Sequence, residues 1–269
     1  MTTPDLATVK QRQQQAWASG DFAAVAARMV LVAEHLCDAA DLHAGWRVLD
    51  VATGSGNAAI AAARLGCTAV GVDYVPSLLE RGRRRAEAEG LEVELLEGDA
   101  EALPFPDASF DAVTSVLGSM FAPDHQKAAA ELLRVCRSGG TIALVSWTPE
   151  GFIGELFRTV GAHVPPPAGV PSPMLWGTES HLRELFGDGI ASLSVSERTF
   201  TWRFPSPEEF VAFFRRWYGP TVTAFAALEG PARDSLERDL VALARRFDRL
   251  GSDATAIPAT YTEAIAVAR

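Results

Sequence analysis

The stretch Val-Leu-Asp-Val-Ala-Thr-Gly-Ser-Gly-Asn, from Val48 to Asn57, decides the fold. It begins as an apolar, β-type run that carries one acid, Asp50. A short turn with Gly54 and Gly56 follows, and the alanine-rich sequence after it favours a helix. A strand, a tight turn and a helix in this order present bare backbone to a nucleotide-like ligand in α/β proteins.

The turn differs from the dinucleotide-binding pattern Gly-x-Gly-x-x-Gly at two positions. Ala52 occupies the first glycine position, and Ala59 occupies the third. The carboxylate of Asp50 would repel a phosphate, so it suits a ligand that carries positive charge. Taken alone, the turn is equally compatible with an ordinary connection between a strand and a helix, and the sequence that follows has to decide.

Composition and charge restrict the class of protein. The chain has 269 residues, of which 48% are hydrophobic and 22% charged, as expected for one globular domain with elaborations. The net charge of −10 argues against a nucleic-acid partner. Three widely spaced cysteines predict neither a zinc site nor disulfides, and they fit a reducing cytoplasm. The polar N-terminus from Met1 to Leu6 is not a signal peptide, and no apolar run is long enough to span a membrane.

Strands and helices alternate in the first half of the chain. After N-terminal helices over residues 5–18 and from Phe22 to Leu36, the pattern predicts strands at 46–51, 68–73, 92–97, 110–116 and 141–147. Helices are predicted between them, at 57–65, 76–90 and 124–137. This alternation indicates a parallel sheet whose ligand binds at the carboxyl ends of the strands. Polar side chains recur at these ends, namely Asp50, Asp73, Asp99 and Ser115.

The second half is less regular. A segment rich in Pro and Gly occupies residues 149–180 and contains a short helix near Gly154. Further helices are predicted at 178–187, 207–218 and 231–250, and strands at 191–204 and 260–268. We therefore predict one domain with three regions: N-terminal helices at 1–44, a ligand-binding core at 45–147, and an inserted helical cap with the closing strands at 148–269.

The strand-end acids fit an adenosine ligand. Asp73 lies 17 residues beyond Gly56, and a carboxylate there can accept hydrogen bonds from both ribose hydroxyls. This position alone does not distinguish NAD from other adenosine ligands. Asp99 could accept from an adenine amino group while the N–H of Ala100 donates to a ring nitrogen. With Asp50 expected near a positive group, these features point to an adenosine ligand with a cationic centre and no phosphate, such as S-adenosylmethionine (SAM).

Several segments together resemble the class I SAM-dependent methyltransferases, in particular the subgroup similar to the ubiquinone/menaquinone-biosynthesis enzymes. The matching segments cover roughly residues 45–147. They are Val48-Leu-Asp-Val-Ala-Thr-Gly-Ser-Gly56, Gly71-Val-Asp73, Glu97-Gly-Asp-Ala-Glu-Ala-Leu-Pro-Phe-Pro-Asp107 with Ser109-Phe-Asp111, and Leu133-Arg-Val-Cys-Arg-Ser-Gly-Gly140.

The resemblance implies a Rossmann-like α/β fold, with a seven-stranded, mostly parallel sheet, an antiparallel last strand and helices on both faces. It also implies that the turn after the first strand meets the methionine part of SAM, and that N-terminal helices close over the cofactor. Trp17 would then lie at the sulfonium end, although plain helix packing explains it equally well. The residues expected to bind SAM, or S-adenosylhomocysteine as product, are Trp17, Asp50, Ala52, Thr53, Gly54, Asp73, Tyr74, Asp99, Ala100 and Ser115.

No catalytic residue is assigned, because methyl transfer needs alignment and exclusion of water more than a general base. His163 is the best base candidate, although a structural or solvent role is favoured, and His125 is expected to be a solvated first-turn residue. No metal is predicted, since Ser115 to Ser119 contains no acid. A small apolar or aromatic acceptor is expected, with about half of the following side chains lining its pocket: Met120, Phe121, Trp147, Phe152, Met174, Trp176, Phe213, Phe214 and Trp217.

Two other functions stay open at this point. An NAD(P)-dependent oxidoreductase shares the strand–turn–helix start, but Ala59, Asp50 and the segment around Asp99 weigh against it. A non-catalytic SAM-binding module is also compatible, because no single residue is required for the chemistry. No sequence pattern specifies an oligomeric state.

Overall fold

The computed structural model of the protein describes residues 5–251 and 254–269. Residues 1–4 lie outside the described residues. They belong to the N-terminal segment that we do not expect to be a signal peptide. In the described part of the chain, seven strands form one sheet in the order β3-β2-β1-β4-β5-β7-β6. They are β1 Arg47–Val51, β2 Thr68–Asp73, β3 Val93–Glu97, β4 Phe110–Val116, β5 Cys136–Trp147, β6 Ile190–Phe204 and β7 Thr255–Ala268.

The predicted sheet is confirmed. Strands β1 to β5 pair in parallel, and β7 pairs antiparallel with both β5 and β6. Leu49 at the centre of β1 lies opposite Val70 of β2 and Val113 of β4, and all three side chains are buried. Burial of such apolar runs on both faces is what a parallel sheet covered by helices requires. The carboxyl ends of β1, β2 and β4 consequently meet at one edge.

The helices that cover this sheet lie between the strands, as the alternating pattern predicts. Three follow β1, β2 and β4, and two more lie between β5 and β6. A further group between β6 and β7 is the inserted helical cap. These helices are α4 Asn57–Arg64, α5 Pro76–Ala88, α6 His125–Val135, α7 Phe152–His163, α8 Glu179–Phe186, α9 Pro207–Trp217, α10 Gly219–Ala226 and α11 Gly230–Phe247.

The N-terminal helices are α1 Leu6–Ser19, α2 Phe22–Ala26 and α3 Val30–Ala39. The prediction of one continuous helix from Phe22 to Leu36 is wrong, because a 3-10 turn at Ala27–Met29 separates α2 from α3. The side chain of Asp21, just before α2, makes no capping hydrogen bond and pairs with Arg81 at 2.5 Å. Within the described residues no single helix is long and apolar enough to cross a membrane, and only the bent pair Leu6–Ser19 with Phe22–Ala39 satisfies length and composition.

Other boundaries differ from the predictions for physical reasons. α6 ends at Val135, and β5 begins at Cys136 instead of residue 141, because Cys136 already pairs with Phe110 of β4. β7 begins at Thr255 and not at residue 260, since its first residues pair with the far end of β6. Helix α10 was not predicted. It packs against α1, where a Cβ atom on Gly219 would lie 2.1 Å from the Ala16 carbonyl oxygen, so only glycine permits this contact.

The arginine-rich face of α5 is only partly the solvated ion-pair surface that helical spacing suggests. Glu80 pairs with Arg84 at 3.1 Å, as the i,i+4 spacing predicts. Arg85 instead donates to the Ser55 carbonyl oxygen and to Asn57 Oδ1, both at 2.7 Å. Arg85 thus connects α5 to the turn after β1 and stabilises the edge of the sheet where the candidate site lies.

Candidate functional site

One pocket lies where β1, β2 and β4 end, with an empty volume of about 1000 Å³ that includes its opening to solvent. All but one of the ten sequence-predicted site residues line it, namely Trp17, Asp50, Ala52, Thr53, Gly54, Asp73, Tyr74, Asp99 and Ala100. The fold therefore brings together side chains that lie as much as 83 positions apart in the sequence.

Asp50 holds the turn after β1. Its buried carboxylate accepts from the Thr53 hydroxyl at 2.5 Å and from the Ala59 N–H at 3.2 Å on one oxygen. The other oxygen accepts from the Thr114 hydroxyl of β4 at 3.0 Å. Burial raises the pKa of this carboxyl from 3.8 to about 6, and these hydrogen bonds oppose the increase. That Asp50 lies near the positive group of a ligand stays a prediction. The contacts described above show that its carboxylate stabilises the turn.

The turn itself uses the left-handed region of the backbone. Ala52 has φ of +53°, Gly54 of +56° and Gly56 of +82°. Ala52 is therefore strained at the position where related nucleotide sites use glycine, and such strain is concentrated at functional sites. Gly118, after β4, faces this residue, and a Cβ atom there would lie 2.7 Å from both the Ala52 Cβ and its carbonyl oxygen.

Asp73 joins the first two strand ends. One carboxylate oxygen accepts from the Gly54 N–H and the other from the Val75 N–H, both at 2.8 Å. The side chain is 6% exposed, and burial raises the pKa of its carboxyl from 3.8 to about 6. Each carboxylate oxygen can accept a second hydrogen bond, so the geometry keeps capacity for two ribose hydroxyls.

Lys10 of α1 reaches over the pocket to the segment after β3. Its Nζ lies 2.5 Å from Asp99 Oδ2 and 2.6 Å from Glu101 Oε2. Asp99 also accepts from the Glu101 N–H at 2.9 Å, and the buried Glu101 accepts from the Asp124 N–H at 2.9 Å. Sequence reasoning did not identify Lys10, because nothing in α1 distinguishes it from a solvated lysine.

Ser115 is the predicted site residue that the described pocket wall does not include. Its hydroxyl donates to the Val51 carbonyl oxygen at 2.7 Å and accepts from the Ser119 N–H at 2.9 Å. Through these two hydrogen bonds Ser115 connects the end of β1 to the turn after β4. The next residues, Val116, Leu117 and Gly118, line the pocket in its place, because side chains alternate along a strand and Ser115 points away.

Trp17 packs against other aromatic rings and also lines the pocket, while its place at the sulfonium end stays a prediction. Its ring packs edge-on against Phe22 and Tyr218 at 5.4 Å and against Phe121 at 5.0 Å between centroids. Its ring also lines the pocket at the strand ends and a second, narrow cavity that shares part of the pocket wall. We call the second one the aromatic cavity; it is lined by Trp17, Phe22, Val25, Met29, Leu117, Phe121, Trp147, Ile153, Trp202, Phe214 and Tyr218.

The cap contributes fewer pocket residues than expected. Of the nine apolar side chains considered as acceptor contacts, Phe121, Trp147 and Phe214 line the aromatic cavity. Met120, Phe152 and Trp176 are buried in the common core instead. Two further members of the cavity wall, Trp202 and Tyr218, were missed because one lies in an ordinary alternating strand and the other follows an aromatic-rich helix.

The histidines contribute little to this site. His163 pairs with the exposed Asp239 at 2.7 Å and does not line either cavity, so it is not a base candidate. The expectation that His125 is solvated is wrong, because its ring is buried and its Nδ1 lies 2.9 Å from His181 Nε2. Burial lowers the pKa of His125 to about 4. Within residues 5–251 and 254–269 no group of three or more His, Cys, Asp and Glu side chains could hold a metal ion.

The sheet order, the acid-lined turn and the strand-end pocket define a Rossmann-like methyltransferase. A family profile described as a methyltransferase domain matches residues 49–144. The chain belongs to the class I SAM-dependent methyltransferases, similar to the quinone-biosynthesis subgroup, and SAM is its cofactor.

Known proteins extend this similarity over most of the chain. An uncharacterized Mycobacterium tuberculosis protein is 42% identical over 245 residues, which are 89% of each chain. A demethylmenaquinone methyltransferase of Thermus thermophilus is 44% identical over 124 residues, 45% of this chain and 56% of that one. The crystal structure of the YcgJ protein from Bacillus subtilis has the same fold, with a TM-score of 0.60, 22% identity, and coverage of 88% of this chain and 98% of that one.

Proposed function

We propose that this methyltransferase transfers the methyl group of SAM to a small, apolar or aromatic acceptor by in-line displacement. The observation that carries the proposal is that the aromatic cavity shares part of its wall with the strand-end pocket, including Trp17, Leu117 and Phe121. A cofactor in the strand-end pocket would have the apolar aromatic cavity next to it. Alignment of two reactants and exclusion of water are the main requirements of the reaction.

The residues around the pocket fit SAM. Asp73 has free acceptor capacity for ribose hydroxyls, and Asp99 and Ala100 lie beside each other where an adenine ring would meet the segment after β3. The turn from Ala52 to Gly54 offers backbone at the methionine end. Three buried acids belong to this wall, and two of them, Asp50 and Asp73, have no cationic side chain beside them in the described part of the chain, unlike Glu101 with Lys10; they favour a cation over a pyrophosphate.

When bound, SAM would supply a methyl carbon activated by a sulfonium. A bond from the acceptor to this carbon would form while the carbon–sulfur bond breaks. Sulfur would keep the electron pair of the broken bond, and the acceptor's proton would leave to solvent. The chain's own residues position and shield this step. Trp17 and Phe121 pack edge-on at 5.0 Å between the two spaces and exclude water. Lys10 holds α1 across the pocket opening through Asp99 and Glu101.

The similarity to a demethylmenaquinone methyltransferase covers 45% of this chain, so it does not define the acceptor. A cytoplasmic location is part of the proposal; the three cysteines are free and buried, which suits a reducing compartment. A nucleic-acid partner is not proposed, because the net charge is −10.

Calorimetric titration with S-adenosylhomocysteine, and separately with NADH, tests the cofactor assignment. Micromolar binding of S-adenosylhomocysteine alone is expected. Binding of NADH alone would overturn the proposal. Labelled SAM with a panel of phenols, thiols and amines then tests transfer, and cofactor binding without transfer to any acceptor would favour a non-catalytic SAM-binding module.

A further inference from the structure

Two histidines form a hydrogen-bonded pair that connects two helices of the fold. His125 is the first residue of α6, His181 lies in α8, and His125 Nδ1 is 2.9 Å from His181 Nε2. His125 is buried, and its ring packs edge-on at 5.7 Å against that of Trp176, in the 3-10 turn Pro173–Gly177. Since one proton occupies the line between the two nitrogens, one ring donates and the other accepts. The pair therefore holds the start of α6 against α8.

The start of α6 is connected to the opening of the cofactor pocket. Pro123 lines the pocket, and the N–H of Asp124 donates to Glu101 Oε1 at 2.9 Å. The other oxygen of Glu101 lies 2.6 Å from Lys10 Nζ, which holds α1 across the opening. The contacts from His125 to Lys10 are thus continuous. A displacement of the first turn of α6 would remove a partner of Glu101 and loosen α1.

The two imidazoles can keep their hydrogen bond with one added proton but not with two. His181 Nδ1 lies 3.6 Å from Glu184 Oε2, so a first proton on His181 has an acid beside it and leaves Nε2–H donating to His125. A second proton, on His125 Nδ1, would place an N–H on both facing nitrogens and a positive charge on both rings. No acceptor then remains between them, and the rings separate.

The surroundings of the pair determine the direction of its pH dependence. The charged groups beside it are Asp124, Glu101 and the exposed Lys127 on the α6 side, and Glu184 on the α8 side. Burial, and next the charge of His181, lower the pKa of His125 to about 4, and Asp124 opposes this shift. A histidine released to solvent titrates near its ordinary value of about 6.5. The separated pair therefore binds protons more tightly, so the joined pair is favoured at neutral pH and loses stability as the pH falls from about 6.5 towards 4.

We propose that His125 and His181 are positioning residues that hold the start of α6 at neutral pH, and that protonation of both rings releases it together with the contact between Glu101 and Lys10. The pair thereby makes the opening of α1 over the SAM pocket depend on pH. Only hydrogen bonds and ion pairs change, and the protons come from solvent. This inference rests on SAM as the cofactor and is independent of the acceptor.

Amide hydrogen exchange of the full chain, measured by mass spectrometry without ligand at a series of pH values, tests this inference. After correction for the intrinsic pH dependence of exchange, the protection factors of α1 and of the first turn of α6 should fall roughly tenfold between about pH 6.5 and 5. The carboxyls of Asp50 and Asp73 also titrate in this range, because burial raises the pKa of each to about 6. They are present in every variant, so the difference between two proteins reports the histidine pair.

Three variants complete the experiment. His125→Asn keeps a hydrogen-bonding group near the position of Nδ1 but does not titrate, so this fall should disappear. His43→Gln is the matched control, because His43 is exposed and its Nε2 contacts Asp41 at 3.2 Å, and it should keep the whole fall. Should His125→Asn fail to fold, His181→Gln replaces the less buried ring. A protonated His125 can still donate to the glutamine oxygen, so a fall of roughly threefold or less is expected there.

The outcomes distinguish this role from a merely structural one. A buried pair that only stabilises the fold would give the same pH dependence in the wild-type protein and in His125→Asn, and that result would overturn the proposal. A wild-type fall confined to α6 and absent from α1 would overturn it as well. Calorimetry with S-adenosylhomocysteine at pH 7 tests the cofactor separately, since the exchange measurement uses no ligand. Absence of binding there would overturn the cofactor assignment, and with it the role of the pair at a SAM pocket.

Discussion

Lys10 Nζ lies 2.5 Å from Asp99 Oδ2, so the N-terminal helix is ion-paired with the carboxylate expected to meet the adenine ring. The same ammonium group lies 2.6 Å from Glu101, whose side chain is only 4% exposed. One cation thus compensates two carboxylates at the pocket opening. These ion pairs hold α1 over the site. A second contact of α1 in this region is the hydrogen bond from Gln14 Nε2 to the Tyr74 carbonyl oxygen at 2.5 Å.

Replacing Lys10 by Met should loosen α1. The substitution keeps an apolar stem but leaves the buried Glu101 without its cation, which we expect to lower the free energy of unfolding by about 1–3 kcal/mol. Hydrogen exchange of the α1 amides should accelerate, and S-adenosylhomocysteine should bind several-fold more weakly. Lys127→Met is the matched control, because Lys127 is the other lysine of the chain and is exposed. Equal effects of both variants would contradict this role.

Asp73 should be the strongest single contributor to cofactor affinity. Asp73→Ala removes an acceptor of two charge-assisted hydrogen bonds to ribose, so we expect a loss of roughly 2 kcal/mol or more in S-adenosylhomocysteine binding by calorimetry. Thermal unfolding should also shift downward, because the Gly54 and Val75 N–H groups lose their partner. Asp107→Ala, which removes an exposed carboxylate, serves as the control. An unchanged affinity of the Asp73 variant would show that the ribose lies elsewhere.

The cofactor side of the site could be predicted because its residues form local patterns. Asp50 lies at the end of β1 with Ala52 and Gly54 in the turn after it, Asp73 ends β2, and Asp99 comes just after β3. Parallel strands then bring these ends together, so no contact between distant residues had to be known. The role of Ser115 stays a prediction; Val116, the next residue of β4, lines the pocket, and a strand reverses its side-chain direction at each residue.

The acceptor side could not be predicted, because its contacts depend on tertiary packing. Lys10 meets Asp99 across 89 positions, and Trp202 and Tyr218 become neighbours only through Phe214. Their sequence surroundings are those of an ordinary helix or strand. The 3-10 turn at Ala27–Met29 also lacks a glycine or proline that would have indicated it.

Asp50 should make stability depend on pH between about 4 and 6. Burial raises the pKa of its carboxyl from 3.8 to about 6, so the folded protein binds this proton more tightly than the unfolded chain does. The contribution is most favourable below pH 4, decreases as the pH rises through this window, and is constant above it. Asp50→Asn should remove that decrease, which urea unfolding at a series of pH values would measure as a difference between the two proteins.

The amide of this variant can keep the contacts of the turn. Its oxygen can accept from Thr53 and Ala59 while its nitrogen donates to the Thr114 hydroxyl, which turns its proton to the Leu49 carbonyl oxygen 3.4 Å away. Parallel pH profiles of the two proteins would mean that Asp50 is not the titrating group. Asp73, with the same direction of pKa shift, is the group to replace next.

Gly118 should be sensitive to the addition of a single methyl group. In Gly118→Ala the new Cβ would lie 2.7 Å from the Ala52 Cβ and carbonyl oxygen, so the two turns that form the pocket wall must separate. We expect a loss of about 1–3 kcal/mol in unfolding free energy and weaker S-adenosylhomocysteine binding. Gly161→Ala is the matched control, because Gly161 lies in α7 and a Cβ there meets only Pro166 at 3.7 Å. This variant should gain about 0.5–1 kcal/mol from helix propensity. Opposite signs for the same substitution, measured by chemical unfolding, would attribute the Gly118 effect to the close approach of the two turns, whereas a loss of equal size in both would refute it.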